Sequence, residues 1–440
     1  MKITFMGAGS TVFVKNVLAD TMLCEALYRA EFALYDIDEV RLNESYLLIT
    51  SMNNQLNEGR ATVTKYLGEG ARKDALRDAD FVINAIQVGG YDPCTVIDFE
   101  IPKKYGLRQT IGDTLGIGGI MRGMRTIKVM KEFARDMEEV CPNAWLLNYT
   151  NPMAIITGYM QRHTKVKTIG LCHSVQVCVP RLLDKLEMTE YDASKCKYHI
   201  AGINHMAWLL DIVDENGTDL YPEIKKRAKA KSAARKHSDM VRFDYIDKLG
   251  YYCTESSEHN AEYNAFYIKP HRPDLIEKFN IPLDEYPRRC IEQIEQWQAQ
   301  RDKLLAGEGL EHTRSREYAS HIMEAMVTGV PYMIGGNVVN EGLIPNLPAE
   351  ACVEVPCVVD QNGITPCKVK PLPVQLAAMN STNIYPQLLT IKAAHEGNRE
   401  ALYHAAMMDP LTGATLSPDD IVAMCDELIE AHEKAGFPVF

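Results

Sequence analysis

Ile3-Thr4-Phe5-Met6-Gly7-Ala8-Gly9-Ser10-Thr11 is the stretch on which the fold turns. Four strand-forming residues run into two glycines separated by one residue. Beyond them Val14, Val17, Leu18 and Met22 fall on one helical face, so the stretch predicts strand, glycine turn, helix. Glu31-Phe32-Ala33-Leu34-Tyr35-Asp36 reads as a second strand closing on an acid. Strand, glycine turn, helix, strand and terminal acid, in that order, is the arrangement of a dinucleotide site. Gly7 makes the tight turn, and Gly9 lets the backbone approach a pyrophosphate. The helix N-terminus favours that negative charge, and Asp36 can hold the ribose hydroxyls. Ser10 and Thr11 can add phosphate hydrogen bonds. An acid at position 36 favours NAD over NADP. One position departs from the pattern: Val12 stands where a third glycine is expected. A structural turn is the competing reading.

The alternation continues outward. Asp78 to Ala85 predicts a strand entering a loop at Gly89-Gly90, and Ala144 to Asn148 predicts another running into Tyr149-Thr150-Asn151-Pro152. The amides of Asn148 and Asn151 could bind substrate hydroxyls there, or simply make an Asn-Pro turn. Between them, Tyr105 to Gly119 is too glycine-rich for a helix and is expected to be a loop, either ordered against a ligand or mobile on the surface. A helix is expected from Met121 to Glu139. Lys167 to Leu171 is the next strand, and it delivers Cys172 and His173 at its end. One β/α alternation thus puts Gly7, Asp36, the loop after Asn84, Asn148 and Cys172 on the carboxyl edge of a doubly wound sheet, where ligands bind. From Tyr198 the texture changes. Residues 1–197 are therefore expected to form a Rossmann-type NAD-binding domain, and 198–440 an α+β domain for substrate, metal and oligomerisation.

Composition narrows the class. The 440 residues carry a net charge of −12 and 12 scattered cysteines. An acidic chain argues against nucleic acid as the main partner. Cysteines without CxxC pairing read as free thiols of a cytoplasmic protein. No apolar run is long enough for a membrane span. The basic stretch Lys225 to His237 reads as the solvated face of a helix.

Cys172 and His205 each stand beside a strand. They are too few for a structural zinc site, which takes four protein ligands, but suit a catalytic divalent ion completed by substrate oxygens and water. A buried thiol and a core histidine are the plainer alternative. Glu255 to Tyr267 is dense in titratable and aromatic groups. Tyr263 or Tyr267 could be a general base if its pKa were lowered.

Taken together, Gly7-Ala8-Gly9-Ser10, Gly106 to Gly119, Asn148-Tyr149-Thr150-Asn151-Pro152, Cys172-His173-Ser174-Val175 and Gly202-Ile203-Asn204-His205 resemble glycoside hydrolase family 4 over essentially the whole chain. The resemblance implies a lactate/malate dehydrogenase-like fold, NAD and a divalent metal, usually Mn2+, as cofactors, and a homodimer or homotetramer. The Cys-His-Ser-Val tetrad is similar to the α-galactosidase (melibiase) branch, whereas branches acting on 6-phosphorylated glycosides carry Cys-Asp or Cys-Asn. This implies hydrolysis of unphosphorylated α-galactosides of the melibiose or raffinose type. The implied route is C3 oxidation, C2 deprotonation, elimination, water addition and re-reduction, an exception to the two-carboxylate mechanism. By the family pattern Cys172 and His205 are metal ligands, Tyr263 is the base with Tyr267 second, and Asn148 and Asn151 bind the sugar. His173 stands where phospho-specific members carry an Asp proposed as acid. Family 4 α-glucosidase, α-galacturonidase or α-glucuronidase activity, or a plain NAD-dependent 2-hydroxy-acid dehydrogenase, are the alternatives. The last would not need the Cys172/His205 pair.

Overall fold

The computed structural model describes residues 1–440, and one twelve-stranded sheet runs through it. Six parallel strands form the first half: β1 (Lys2–Met6), β2 (Glu31–Asp36), β3 (Thr62–Leu67), β4 (Phe81–Asn84), β5 (Trp145–Asn148) and β6 (Lys167–Leu171). Their order is β3-β2-β1-β4-β5-β6. The order reverses between β1 and β4, which opens a crevice beyond the carboxyl ends of the strands. Met6 pairs with Asn84, Asn84 with Asn148, and Asn148 with Gly170, so these strand ends lie level along that crevice.

The second half adds β7 (Lys197–Ile203), β8 (Met206–Val213), β9 (Tyr252–Cys253), β10 (Tyr332–Val339), β11 (Cys352–Asp360) and β12 (Gly363–Pro366). All pair antiparallel, in the order β10-β11-β7-β8-β9 beyond β6, with β12 on β11. β10 joins β6 through Gly336–Leu171 and Asn337–Gly170, so the sheet continues across the change in sequence texture. One hydrophobic cluster likewise runs from Ile3 on β1 to Val439 near the C-terminus. No helix is long and apolar enough to cross a membrane.

The glycine-rich segment requires a correction. A helix spans Gly116–Val140, so it starts at Gly116 rather than Met121. Intrinsic propensity disfavours each glycine there by about 1 kcal/mol. Packing decides otherwise: a Cβ on Gly118 would stand 2.3 Å from the Gly112 carbonyl oxygen, and one on Gly119 would stand 2.6 Å from the Thr114 backbone. Only glycine lets this first turn fold back on the preceding loop. That loop, Gln109 to Leu115, is buried throughout, which excludes the mobile alternative.

Candidate active site

Cys172 follows β6, His205 sits in the two-residue turn between β7 and β8, and Glu255 follows β9. Their sulfur, nitrogen and oxygen donor atoms all lie within 4.8 Å of one another. His205 has φ +64°, a left-handed conformation that costs a non-glycine residue about 1–2 kcal/mol and is tolerated where the surroundings enforce it. Its Nδ1 lies 3.1 Å from the Tyr263 hydroxyl, and its Nε2 lies 3.6 Å from Glu255 Oε2. The backbone leading to Glu255 is anchored at Thr254 by a buried node. Asp239 accepts from Tyr252 Oη at 2.6 Å and Ser257 Oγ at 3.0 Å, and pairs with Arg242; Arg242 also donates to the carbonyl of Thr254 at 2.8 Å.

The electrostatics of this cluster are negative. Burial, then the charges of Glu354 and Glu255, push the Cys172 thiol far up. Burial opposes the Glu255 charge, but His259 and His205 hold its carboxyl down to about 2. Burial, then Glu262, Asp113 and Glu255, push the Tyr263 phenol well above its usual value. Acids concentrated in a buried site are stable only when neutralised by a cation or a proton. One thiol, one imidazole and one carboxylate are a mixed donor set that fits a divalent transition metal.

Tyr263 lies at the end of the helix Ser257–Glu262. Glu262, fully buried, accepts from the backbone N–H groups of Thr110 at 2.7 Å, Gly112 at 2.8 Å and Ile111 at 3.2 Å. It thereby clamps the glycine-rich loop beside the phenol. The same loop presents Asp113, which accepts from Asn151 Nδ2 at 3.2 Å and Thr114 Oγ1 at 2.7 Å. Arg122 donates to the Asn151 carbonyl at 3.2 Å and to the Tyr286 hydroxyl at 3.2 Å. On the opposite rim His173 contacts Glu317, which also accepts from Tyr149 Oη at 2.6 Å. That bond to Glu317 raises the His173 pKa, against the effect of burial.

At the other end of the crevice Gly7 has φ +83°, and a Cβ there would stand 2.9 Å from the Ala85 and Ile86 backbone. The Gly9 N–H donates to Asp36 Oδ2 at 2.6 Å, which ties the turn to the end of β2. Each Asp36 oxygen can accept a further donor. Ser10 leaves the first turn of the helix Thr11–Met22 without a side-chain cap, so its N–H groups are available to a phosphate. Thr11 differs: its hydroxyl is buried and takes a 2.9 Å bond from Ser45. Val12, in the place of the third glycine, faces outward and blocks nothing. The cradle fits a dinucleotide.

Cys172, His205 and Tyr263 thus converge, with Asn151 and His173 beside them. Tyr267 does not join them, because its hydroxyl is bonded to Asp244 at 3.0 Å. Asn148 also requires correction as a sugar ligand. It is completely buried, its oxygen accepts from Asn84 Nδ2 at 2.9 Å, and its nitrogen donates to Thr157 Oγ1 at 3.1 Å. It braces the strand ends from beneath. Glu255, Asp113 and Glu317 were not singled out from the sequence. Glu255 opens the titratable stretch and Asp113 lies inside the glycine-rich loop, whereas nothing marks Glu317.

A doubly wound dinucleotide scaffold carrying a thiol–imidazole–carboxylate set beside a buried phenol is the class that this fold and site define. The profile of the family 4 glycosyl hydrolases matches residues 2–188, and that of their C-terminal domain matches residues 200–412. The chain belongs to family 4 of the glycosyl hydrolases. It is 60% identical to an α-galactosidase of Bacillus subtilis (strain 168) over 431 residues, 98% of each chain. It is 35% identical to an α-galactosidase of Rhizobium meliloti (strain 1021), covering 98% of this chain and 88% of that one. Its fold matches a 6-phospho-α-glucosidase from gut microorganisms, solved in complex with NAD and Mn2+, with TM-score 0.80 at 21% identity, covering 99% of this chain and 98% of that one.

Proposed function

We propose that this protein is an α-galactosidase that hydrolyses unphosphorylated α-galactosides with NAD and a divalent metal as cofactors. The 60% identity to the Bacillus subtilis α-galactosidase over nearly the full length carries this reading, and the cluster of Cys172, His205, Glu255 and Tyr263 supports it. Gly7, Gly9, Ser10 and Asp36 would hold the dinucleotide, with Thr11 shaping the turn. Cys172 and His205 would hold the metal, with Glu255 as a third protein ligand. When bound, the dinucleotide supplies a reversible hydride acceptor and the metal a Lewis acid for the sugar's oxygens.

The chain's own residues supply positioning and proton transfer. Tyr263 Oη would take the proton from sugar C2, and its 3.1 Å contact with His205 Nδ1 supports this by orienting the hydroxyl. Asn151, oriented by Asp113 and Arg122, would bind a sugar hydroxyl. His173 is half exposed at the rim, and its bond to Glu317 favours the protonated imidazole against the effect of burial, so it would be suited to deliver a proton to the departing oxygen. Glu262, next to Tyr263 in the chain, would hold the loop of Thr110 to Gly112 in place beside the phenol.

The test is turnover of aryl α-galactoside, α-glucoside and α-galacturonide, each with and without NAD, Mn2+ and a chelator. Preferential α-galactoside cleavage, abolished by chelation or by removal of NAD, is the expected result. Cleavage indifferent to both, or preference for another sugar, overturns the proposal.

A further inference from the structure

Behind the cation cluster lies a second set of buried polar groups that the proposed reaction does not use. Glu354 on β11, Asn337 on β10 and Asn204 before His205 are each at most 1% exposed. Asn337 Nδ2 donates to Glu354 Oε1 at 3.0 Å and to the Gly170 carbonyl at 3.3 Å. Four of their polar atoms have no partner: Glu354 Oε2, Asn337 Oδ1, and both Oδ1 and Nδ2 of Asn204. So many unpaired atoms in one buried place call for a physical reason. The sheet register supplies one. β11 lies between β10, which pairs with the β6 strand leading to Cys172, and β7, which leads to His205; Glu354 itself pairs with Gly202. The carboxylate therefore sits at the junction of the two ligand-bearing strands, outside the three-donor cluster.

We infer that Glu354 is a positioning residue for the metal: a buried counter-charge, aligned by Asn337, that sets the affinity of the Cys172–His205–Glu255 site for a divalent cation. The inference rests on the metal site of the proposed function. A carboxylate buried without a cationic partner is unfavourable, whereas beside a bound cation it is favourable. Charge, not shape, is what the residue contributes, so an isosteric amide separates the two. Outer groups of this kind change metal affinity by about 10–100-fold when altered.

The experiment titrates Mn2+ calorimetrically into wild type and Glu354→Gln, without NAD or sugar, and records Tm with and without Mn2+. Mn2+ should bind Glu354→Gln at least tenfold more weakly, raise its Tm less, and leave a metal-free Tm equal to or above that of wild type. A Kd within twofold of wild type overturns the inference, as does a fall in metal-free Tm with unchanged Kd. If Glu354→Gln is not recovered folded, Asn337→Ala decides: weaker Mn2+ binding supports the inference, and binding within twofold overturns it. Wild type that binds no Mn2+ but still cleaves α-galactosides removes the metal part of the functional reading and this inference with it. Tight binding by wild type and variant alike removes this inference alone.

Discussion

Removing the charge of Glu262 should flatten one defined part of the pH dependence of stability. Burial pushes this carboxyl up from 4.5 to about 7, although the N–H groups of Gly112, Thr110 and Ile111 pull it the other way. Between those values the folded protein keeps a proton that the unfolded chain has released. The stability that this group contributes is therefore complete below pH 4.5 and is lost as pH rises to 7. That interval corresponds to about 3 kcal/mol at about 1.4 kcal/mol per pH unit. With an unfolding entropy of about 2.1 cal/mol/K per residue, a chain of 440 residues converts it to about 3 °C in Tm. Glu262→Gln has the same shape and never ionises. Its amide fails to accept all three N–H groups, at a cost that does not vary with pH. The Tm of Glu262→Gln minus that of wild type should thus rise by about 3 °C between pH 4.5 and 8. Scanning calorimetry of the metal-free, NAD-free proteins at constant ionic strength measures it. Glu354 and Asp409, pushed up to about 7 and about 6, titrate in both proteins and cancel in the difference. A difference flat within about 1 °C, or of opposite sign, refutes the assignment of Glu262 as a buried acid clamping the loop.

Three further outcomes follow from the geometry. Tyr263→Phe should lower kcat on an aryl α-galactoside by about 10²–10⁴-fold, the usual worth of a general base, while Tyr267→Phe, whose hydroxyl faces Asp244, stays near wild type; equal losses in steady-state assays would contradict the choice of base. Gly7→Ala places a Cβ 2.9 Å from the Ala85 backbone at φ +83°, a strain of about 1–2 kcal/mol before the clash, so NAD affinity by fluorescence titration should fall at least about tenfold with Mn2+ affinity unchanged. Asp239→Asn leaves Arg242 without its charge partner in a buried node, which should cost about 3–5 kcal/mol and weaken Mn2+ binding by loosening Glu255; unaltered Tm would show that the node is not a support.

The parallel half of the fold was legible because each of its signals is local. A glycine turn between a strand and a helix needs only neighbours in sequence, and β1, β2, β4, β5 and β6 appear where their apolar runs lie; β3, whose TVTKYL carries no apolar run, is not among the predicted strands. The antiparallel half was less so, because β10 and β11 reach the site only by pairing across residues far apart in the chain: Gly336 with Leu171, and Glu354 with Gly202. The helix starts at Gly116 rather than Met121 for the same reason, since the backbone that excludes a Cβ belongs to the folded loop. Asn148 shows the converse. Local spacing places it at a strand end, but which way its amide points depends on Asn84 and Thr157, which no spacing rule reveals. Glu317 closes on His173 from another part of the chain, and only the fold brings it there.

The role proposed for Cys172 is favoured by charge rather than by position. A thiol at a strand end beside a histidine has two chemical uses, as a nucleophile or as a metal ligand, and the two require opposite surroundings. A nucleophilic cysteine needs an electropositive environment that stabilises the thiolate in the free enzyme. Here burial and the negative charges of Glu354 and Glu255 push the thiol up, and no lysine or arginine contacts it. The neighbouring His173, the natural activating base, is instead drawn to Glu317. Covalent thiol catalysis is therefore disfavoured by the very acids that surround the sulfur. A divalent cation reverses the balance, because the same acids that oppose an isolated thiolate attract the cation, and the cation in turn stabilises the thiolate. Tyr263 obeys the same logic: burial, then Glu262, Asp113 and Glu255, push its phenol up. A cation held by Cys172 would favour both the thiolate and the ionised phenol, so the proposed ligand role of Cys172 and the proposed base role of Tyr263 stand or fall together.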